Sequence, residues 1–183
     1  MRKTVLAALM AAALTAAACG GGSSVKESDD PAAKAPAEAA APNAKTVPIG
    51  KTLATSKDGI NVDWTVTTAR TAAADQYGSE PATNGKWVLV HARAAVKPGR
   101  DAYICGCDLS IIAKSGRVYQ PSFASFKGKR DLPNVNVGPG QNADGWVIFD
   151  VAGEDLNGAR IQLKQLSLLD DAASGYWTLT ITK

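Results

Sequence analysis

The chain has very little of the residue types that carry most enzyme chemistry. It has one histidine, His91, three cysteines and two methionines, Met1 and Met10, among 183 residues. A single histidine leaves no convincing Ser-His-Asp or Cys-His set. No zinc-ligand spacing, phosphate-binding glycine loop or dinucleotide fingerprint occurs. Asp170-Asp171 is a paired carboxylate only in sequence, because neighbours on a strand face opposite ways. Catalysis and cofactors therefore find no support: the reading is a non-enzyme with no cofactor and no metal. A large excess of one charge is also missing. The net charge is +3, and without Arg2 and Lys3 the 20 basic side chains become 18 against 17 acidic. That balance gives no electrostatic footprint for nucleic acid.

What is present begins at the N-terminus. Arg2 and Lys3 precede an apolar run from Val5 to Ala18, too short for a stable membrane span, which needs about 20 residues. Ala16-Ala17-Ala18-Cys19 and the glycine run Gly20 to Gly22 follow. A basic start, an apolar stretch and small residues before a cut form a secretory signal. A cysteine placed directly after them resembles the lipobox of bacterial lipoproteins, although Ala16 stands where that pattern prefers leucine. The resemblance implies cleavage after residue 18, lipidation of Cys19, and anchoring on the extracytoplasmic face of the cell membrane. From Ser23 to Lys45 the chain is mostly Ala, Pro, Ser, Lys, Glu and Asp without an aromatic residue. It cannot bury enough apolar surface to offset chain entropy, and its prolines stiffen it into a spacer. The expected organisation is a signal peptide at 1–18, a lipidated and disordered linker at 19–45, and one folded domain at 46–183.

That domain reads as all-β. Ile60, Val62, Trp64 and Val66 alternate with polar residues, a period of two with one buried face. Lys57-Asp58-Gly59 marks a hairpin back to Lys51–Thr55. Lys86–Val96 is a long strand with Val88, Val90, Ala92, Ala94 and Val96 on one side and Trp87, Leu89, His91 and Arg93 on the other. Leu109–Ala113 and Arg117–Gln120 flank Lys114-Ser115-Gly116, another hairpin. Trp146–Val151, Ala159–Leu169 and Tyr176–Thr182 complete the set, with Asp170-Asp171 at a turn. Helix is limited to single turns at Thr71–Gln76 and Glu154–Asn157. Seven or eight strands at this spacing predict a β-sandwich.

The order of motifs carries a family resemblance. Ile49-Gly50-Lys51 is followed by Gly59-Ile60-Asn61-Val62, Gly85-Lys86-Trp87-Val88-Leu89-Val90, Ser115-Gly116-Arg117-Val118-Tyr119 and Val137-Gly138-Pro139-Gly140-Gln141. Gly145-Trp146-Val147-Ile148-Phe149-Asp150-Val151 closes the series. Together they resemble the telokin-like extracellular domain of unknown function, related to secreted mycobacterial immunoprotective antigens. The resemblance implies an immunoglobulin-like sandwich behind a lipoprotein signal and a low-complexity linker, and no shared activity. Two features depart from the family: the apolar continuation Ala94-Ala95-Val96, and the pair Cys105-Gly106-Cys107.

Four candidate features remain. Cys105 and Cys107 read first as a small disulfide, since an exported compartment permits one and Gly106 can supply the bend a straight strand lacks. The alternative is a thiol-handling or soft-metal site. His91 reads as a half-exposed strand residue. Trp87 and Trp146, with Leu89 and Ile148, form a second apolar surface, either covered by a loop or open to a partner. Tyr119–Asn134 is a long unpatterned loop carrying Phe123, Phe126, Lys127, Lys129 and Arg130, a recognition candidate. The functional expectation is a membrane-anchored binding or interaction module whose partner is a protein or envelope component. The alternative is a thiol- or metal-handling envelope protein using Cys105 and Cys107.

Overall fold

A computed structural model describes residues 44–72, 81–164 and 174–182. The signal, Cys19 and nearly all of the linker lie outside these residues, as do the Asp170-Asp171 turn and most of the expected turn after Thr71. No described helix is long and apolar enough to cross a membrane.

The protein is a β-sandwich. In chain order the strands are β1 (Lys45–Pro48), β2 (Thr52–Lys57), β3 (Ile60–Ala72), β4 (Gly85–Val96), β5 (Ala102–Ile104), β6 (Leu109–Ile112), β7 (Val118–Tyr119), β8 (Pro121–Ser122), β9 (Val135–Val137), β10 (Asn142–Ala152), β11 (Arg160–Lys164) and β12 (Ser174–Thr178). One five-stranded sheet runs β2-β3-β4-β10-β8 and the other β1-β12-β11-β6-β7, while β5 and β9 pair as a ribbon. The seven longer strands other than β1, and β7 within the expected strand Arg117–Gln120, correspond to the patterned segments of the sequence. The short pieces β5, β8 and β9 are set by pairing rather than by their own alternation. Lys45, expected in the linker, is the first residue of β1 and pairs with Gly175. β10 starts four residues before Trp146, because Ala143 and Gly145 continue its inward face where their small side chains hide the period.

Alternation fixes which face is buried. Val62, Trp64, Val66, Val88, Val90, Val147, Phe149 and Val151 point inward against Leu109, Ile111, Ile161, Leu163 and Trp177 of the other sheet. Asp58 and Gly59 both have positive φ, 51° and 80°, the two-residue turn whose twist suits a hairpin. β3 slips register against β4 between Val66 and Thr68. This bulge inserts Thr67 as the unpaired residue, and Ala69 resumes the inward face.

The other side of β4 and β10 carries Trp87, Leu89 and Ile148, which with Phe126 form a separate small core. Phe126 comes from the chain between β8 and β9, which folds back over the sheet. Its turn is closed by Lys129 N–H donating to the Phe126 carbonyl at 2.9 Å. The returning chain then runs beside β10: Trp146 N–H donates to the Arg130 carbonyl and Leu132 N–H to the Trp146 carbonyl, both at 2.9 Å. Gly145 permits this approach, since a Cβ there would lie 2.4 Å from the Leu132 nitrogen.

Candidate functional site

Around Phe126 the returning loop seals the outer face. Along the edge of β10, which β8 and then Asp131 border, a cleft of ≈ 370 Å³ opens. Trp146, Val147 and Ile148 of β10 form the floor, with Ser122, Phe123 and Leu132 along one side and Cys105, Gly106 and Cys107 on another. Gln120, Asp131 and Asn134 bring polar groups to a largely apolar lining. Phe123 stands fully exposed beside it.

The cysteine wall is rigid for reasons visible in its hydrogen bonds. Cys105 and Cys107 are joined as a disulfide with Cα atoms 5.0 Å apart, inside the usual range for such bridges. The single 3-10 turn Gly106–Asp108 begins at Cys105. Cys107 N–H donates to Cys105 Sγ at 3.0 Å, and Cys105 N–H donates to Asp108 Oδ2 at 3.1 Å. This is a capping box with cysteine in the place of serine. Asp108 is 2% exposed, so its carboxylate belongs to the turn and not to the cleft. Gly106 N–H reaches across to Asn134 Oδ1 at 3.3 Å, linking the two walls. Among the described residues no three His, Cys, Asp or Glu side chains converge, so the pair has no further ligand beside it.

At the other end of the floor, Trp146 packs against two polar side chains. His91 meets it edge-on at 5.0 Å, and Lys129 Nζ lies 4.3 Å from its ring centre, a cation–π contact. His91 is held by Thr67 Oγ1, 2.8 Å from Nδ1, and faces Asp144 Oδ2 at 3.7 Å from Nε2. The bulge that inserts Thr67 is therefore what supplies the histidine with a partner. Lys127 and Arg130 project into solvent on the same loop, and no described carboxylate pairs with them. The loop bordering the cleft thus carries a cationic shoulder, while the charged residue in the cleft's own lining is Asp131.

The expected binding residues separate into two groups. Trp87 and Phe126 are 6% and 5% exposed and meet edge to face at 6.0 Å. They cover each other, so neither offers a surface to a partner, and both leave the candidate set. The physical reason is that a large outward ring on a sheet, Trp87, and a loop ring, Phe126, are more stable buried against each other than left in water. Trp146, Phe123, Lys127, Lys129 and Arg130 remain at or near the cleft. Sequence reading missed Leu132 and Asn134, which carry no pattern of their own. Asp108 had a signal, three residues after Cys105 at the spacing of a capping box.

A second polar cluster lies at the β6–β7 hairpin. Tyr119 Oη donates to Asp155 Oδ2 at 2.5 Å, Arg117 Nη1 donates to the same oxygen at 3.1 Å, and Ser115 Oγ donates to Asp155 Oδ1 at 3.2 Å. Burial, then the Asp155 carboxylate, pushes the Tyr119 phenol above its usual range. The Tyr119 hydroxyl, then its charge and that of Asp155, holds the Arg117 guanidinium above its own. These contacts tie the 3-10 turn Gly153–Leu156 to the hairpin.

Comparison with known proteins places the fold. No family model matches the sequence, and no curated protein matches it. Solved structures do. The secreted protein MPT63 from Mycobacterium tuberculosis superposes with a TM-score of 0.56 at 13% identity, over 76% of this chain and 100% of that one. The yjhA protein from Bacillus subtilis gives 0.57 at 11% identity, over 73% and 99%. At such identities the likeness is one of fold.

Proposed function

We propose that this protein is an extracytoplasmic lipoprotein, anchored through Cys19, whose sandwich is a binding module of the telokin-like extracellular class. The N-terminal signal and lipobox support the location, and the secreted MPT63 shares the fold. The observation that carries the binding reading is the cleft itself. It is an apolar recess with a few convergent polar groups, the usual form of a recognition site, bordered by a bare phenyl ring and a cationic shoulder. A lone exposed phenylalanine is unremarkable on a monomer; one on the rim of an apolar recess supplies an anchor.

The occupant that fits is an extended segment of another exported protein, carrying apolar side chains for the Trp146, Leu132 and Phe123 walls and acidic ones for Lys127, Lys129 and Arg130. An array of synthetic decapeptides tests this, comparing apolar-acidic sequences with apolar-basic ones of equal hydropathy. The expected result is selective capture of the acidic set, weakened about tenfold or more by Phe123→Ser, since burying one phenyl is worth ~1.5–3 kcal/mol. Equal capture of both sets, or unchanged capture by the variant, would remove the reading. Mass measurement of protein extracted from membranes tests the anchor, which requires an acyl increment on Cys19.

A further inference from the structure

The disulfide lines the cleft, and its two cysteines are not equally exposed. Cys107 is exposed, whereas Cys105 is 7% exposed. We propose that Cys105–Cys107 is an exchange site for the dithiol of a protein segment docked in the cleft. The inference rests on the cleft being the binding site and specifies its partner as one that carries two cysteines.

The chemistry follows from the geometry. A thiolate entering the cleft meets Cys107 Sγ first. Its attack forms a bond to that sulfur and breaks the Cys105–Cys107 bond, and the electron pair leaves on Cys105 Sγ. That leaving sulfur already accepts the Cys107 N–H at 3.0 Å, a bond that strengthens once the acceptor is charged. The mixed disulfide then needs a second thiol. The only other cysteine of the chain is Cys19, the residue of the lipobox. The partner therefore supplies the second thiol: its sulfur attacks the partner's first sulfur, closes the partner's own disulfide and releases Cys107 as thiolate. Two electrons pass from the partner to the pair, and the two protons of the partner's thiols end on Cys105 and Cys107.

The surroundings suit reversible opening. Asp108 caps the turn through the Cys105 backbone, and Asn134 holds the Gly106 N–H at 3.3 Å, so neither contact depends on the S–S bond. Trp146, Leu132 and Phe123 then select among incoming thiols, because an apolar residue beside the attacking cysteine has a recess to fill.

The test uses the full chain carrying Cys19→Ser, so that only the pair reports, with reduction read as an alkylation mass shift after acid quench. Three probes are compared: an acidic dithiol peptide with leucine beside its first cysteine, the same peptide with glycine there, and dithiothreitol. The leucine peptide is expected to reduce the pair about tenfold or more faster than the glycine peptide, by the burial of one leucine. Phe123→Ser is expected to remove that preference, and to act less on dithiothreitol, which has no side chain to fill the recess. A Cys105→Ser variant, offered the peptide as an activated mixed disulfide, should carry it on Cys107. Equal rates for the two peptides overturn the proposal, as does failure of Cys107 to take the adduct. The leucine peptide with serines in place of its cysteines separates the two readings by calorimetry. If it binds while exchange stays unselective, the exchange proposal falls and the cleft stands; if it does not bind, both fall.

Discussion

The long sheet has two faces built from the same strands and protected in different ways. Its inner face meets a second sheet, so each Val88, Val90 or Phe149 is enclosed by side chains from strands far away in sequence. Its outer face is covered mainly by the chain between β8 and β9, pinned by the Phe126–Lys129 turn and two hydrogen bonds to Trp146, with Ala82 packed on the same cluster. The first arrangement buries an entire face; the second buries one end, around Trp87, and stops short of the other. A sheet covered by a sheet leaves no opening of this kind, whereas a sheet covered by a loop ends where the loop ends. The cleft opens where that loop, past Phe126, turns in to pair with the edge of β10.

The two faces should differ most under truncation. Phe149→Ala opens a cavity in a site that cannot collapse and should cost ~3–5 kcal/mol, read as the midpoint shift in urea unfolding. Phe126→Ala should cost less, about 2–3 kcal/mol, because the loop can settle into the gap. It should also expose Trp87, giving a red-shifted emission and stronger acrylamide quenching. Equal costs would mean that the loop is packed as firmly as the second sheet, and the contrast between the faces would be lost.

This contrast also marks how far the sequence could be read. Period-two alternation revealed β3, β4 and the inner half of β10, since valines facing a sheet are dense and regular. Asp58-Gly59 announced its turn through chemistry that few other residues share. The same alternation put Trp87, Leu89, Trp146 and Ile148 on the outer side and posed a covered-or-open choice that no local pattern could decide. The answer lay in Gly145, which admits the backbone of Leu132, and in Phe126, a ring 39 residues from the tryptophan it covers. Such contacts are set by the path of a loop, and a path has no period. Cys105 and Cys107 were legible as a pair; their place on a cleft wall was not, because Leu132 and Asn134 reach them from another segment.

Two changes probe smaller terms. Tyr119→Phe removes the hydroxyl that donates to Asp155, at a cost of ~1–2 kcal/mol. The native phenol is held above its usual range, so its contribution is full below the unfolded value near pH 10 and is lost as pH rises through the folded value. The wild-type midpoint should therefore fall above about pH 10, and the variant should fall less. A parallel fall in both would place the loss on the other tyrosines. Replacing both Cys105 and Cys107 by serine should cost about 1.5 kcal/mol, since the loop they close is minimal and the entropic stabilisation grows with loop length. The Asp108 cap should keep the turn in place, visible as an unchanged circular dichroism spectrum.

The smallest expected change in stability is also the one that separates packing from binding. Phe123 is fully exposed, so Phe123→Ser removes no buried contact and should leave the unfolding midpoint within ±0.5 kcal/mol of wild type, the ordinary range for a surface substitution. Phe126, three residues along the same loop, has the opposite role: its ring is already spent on Trp87. If the loop serves only to cover the sheet, Phe123→Ser should be silent in every measurement while Phe126→Ala is costly. If it covers at one end and receives a partner at the other, Phe123→Ser should be silent in unfolding and weaken capture of the acidic peptides about tenfold. A stable variant that has lost its ligand would assign the two phenylalanines to two separate tasks. An unchanged ligand would reduce the loop to a lid over Trp87.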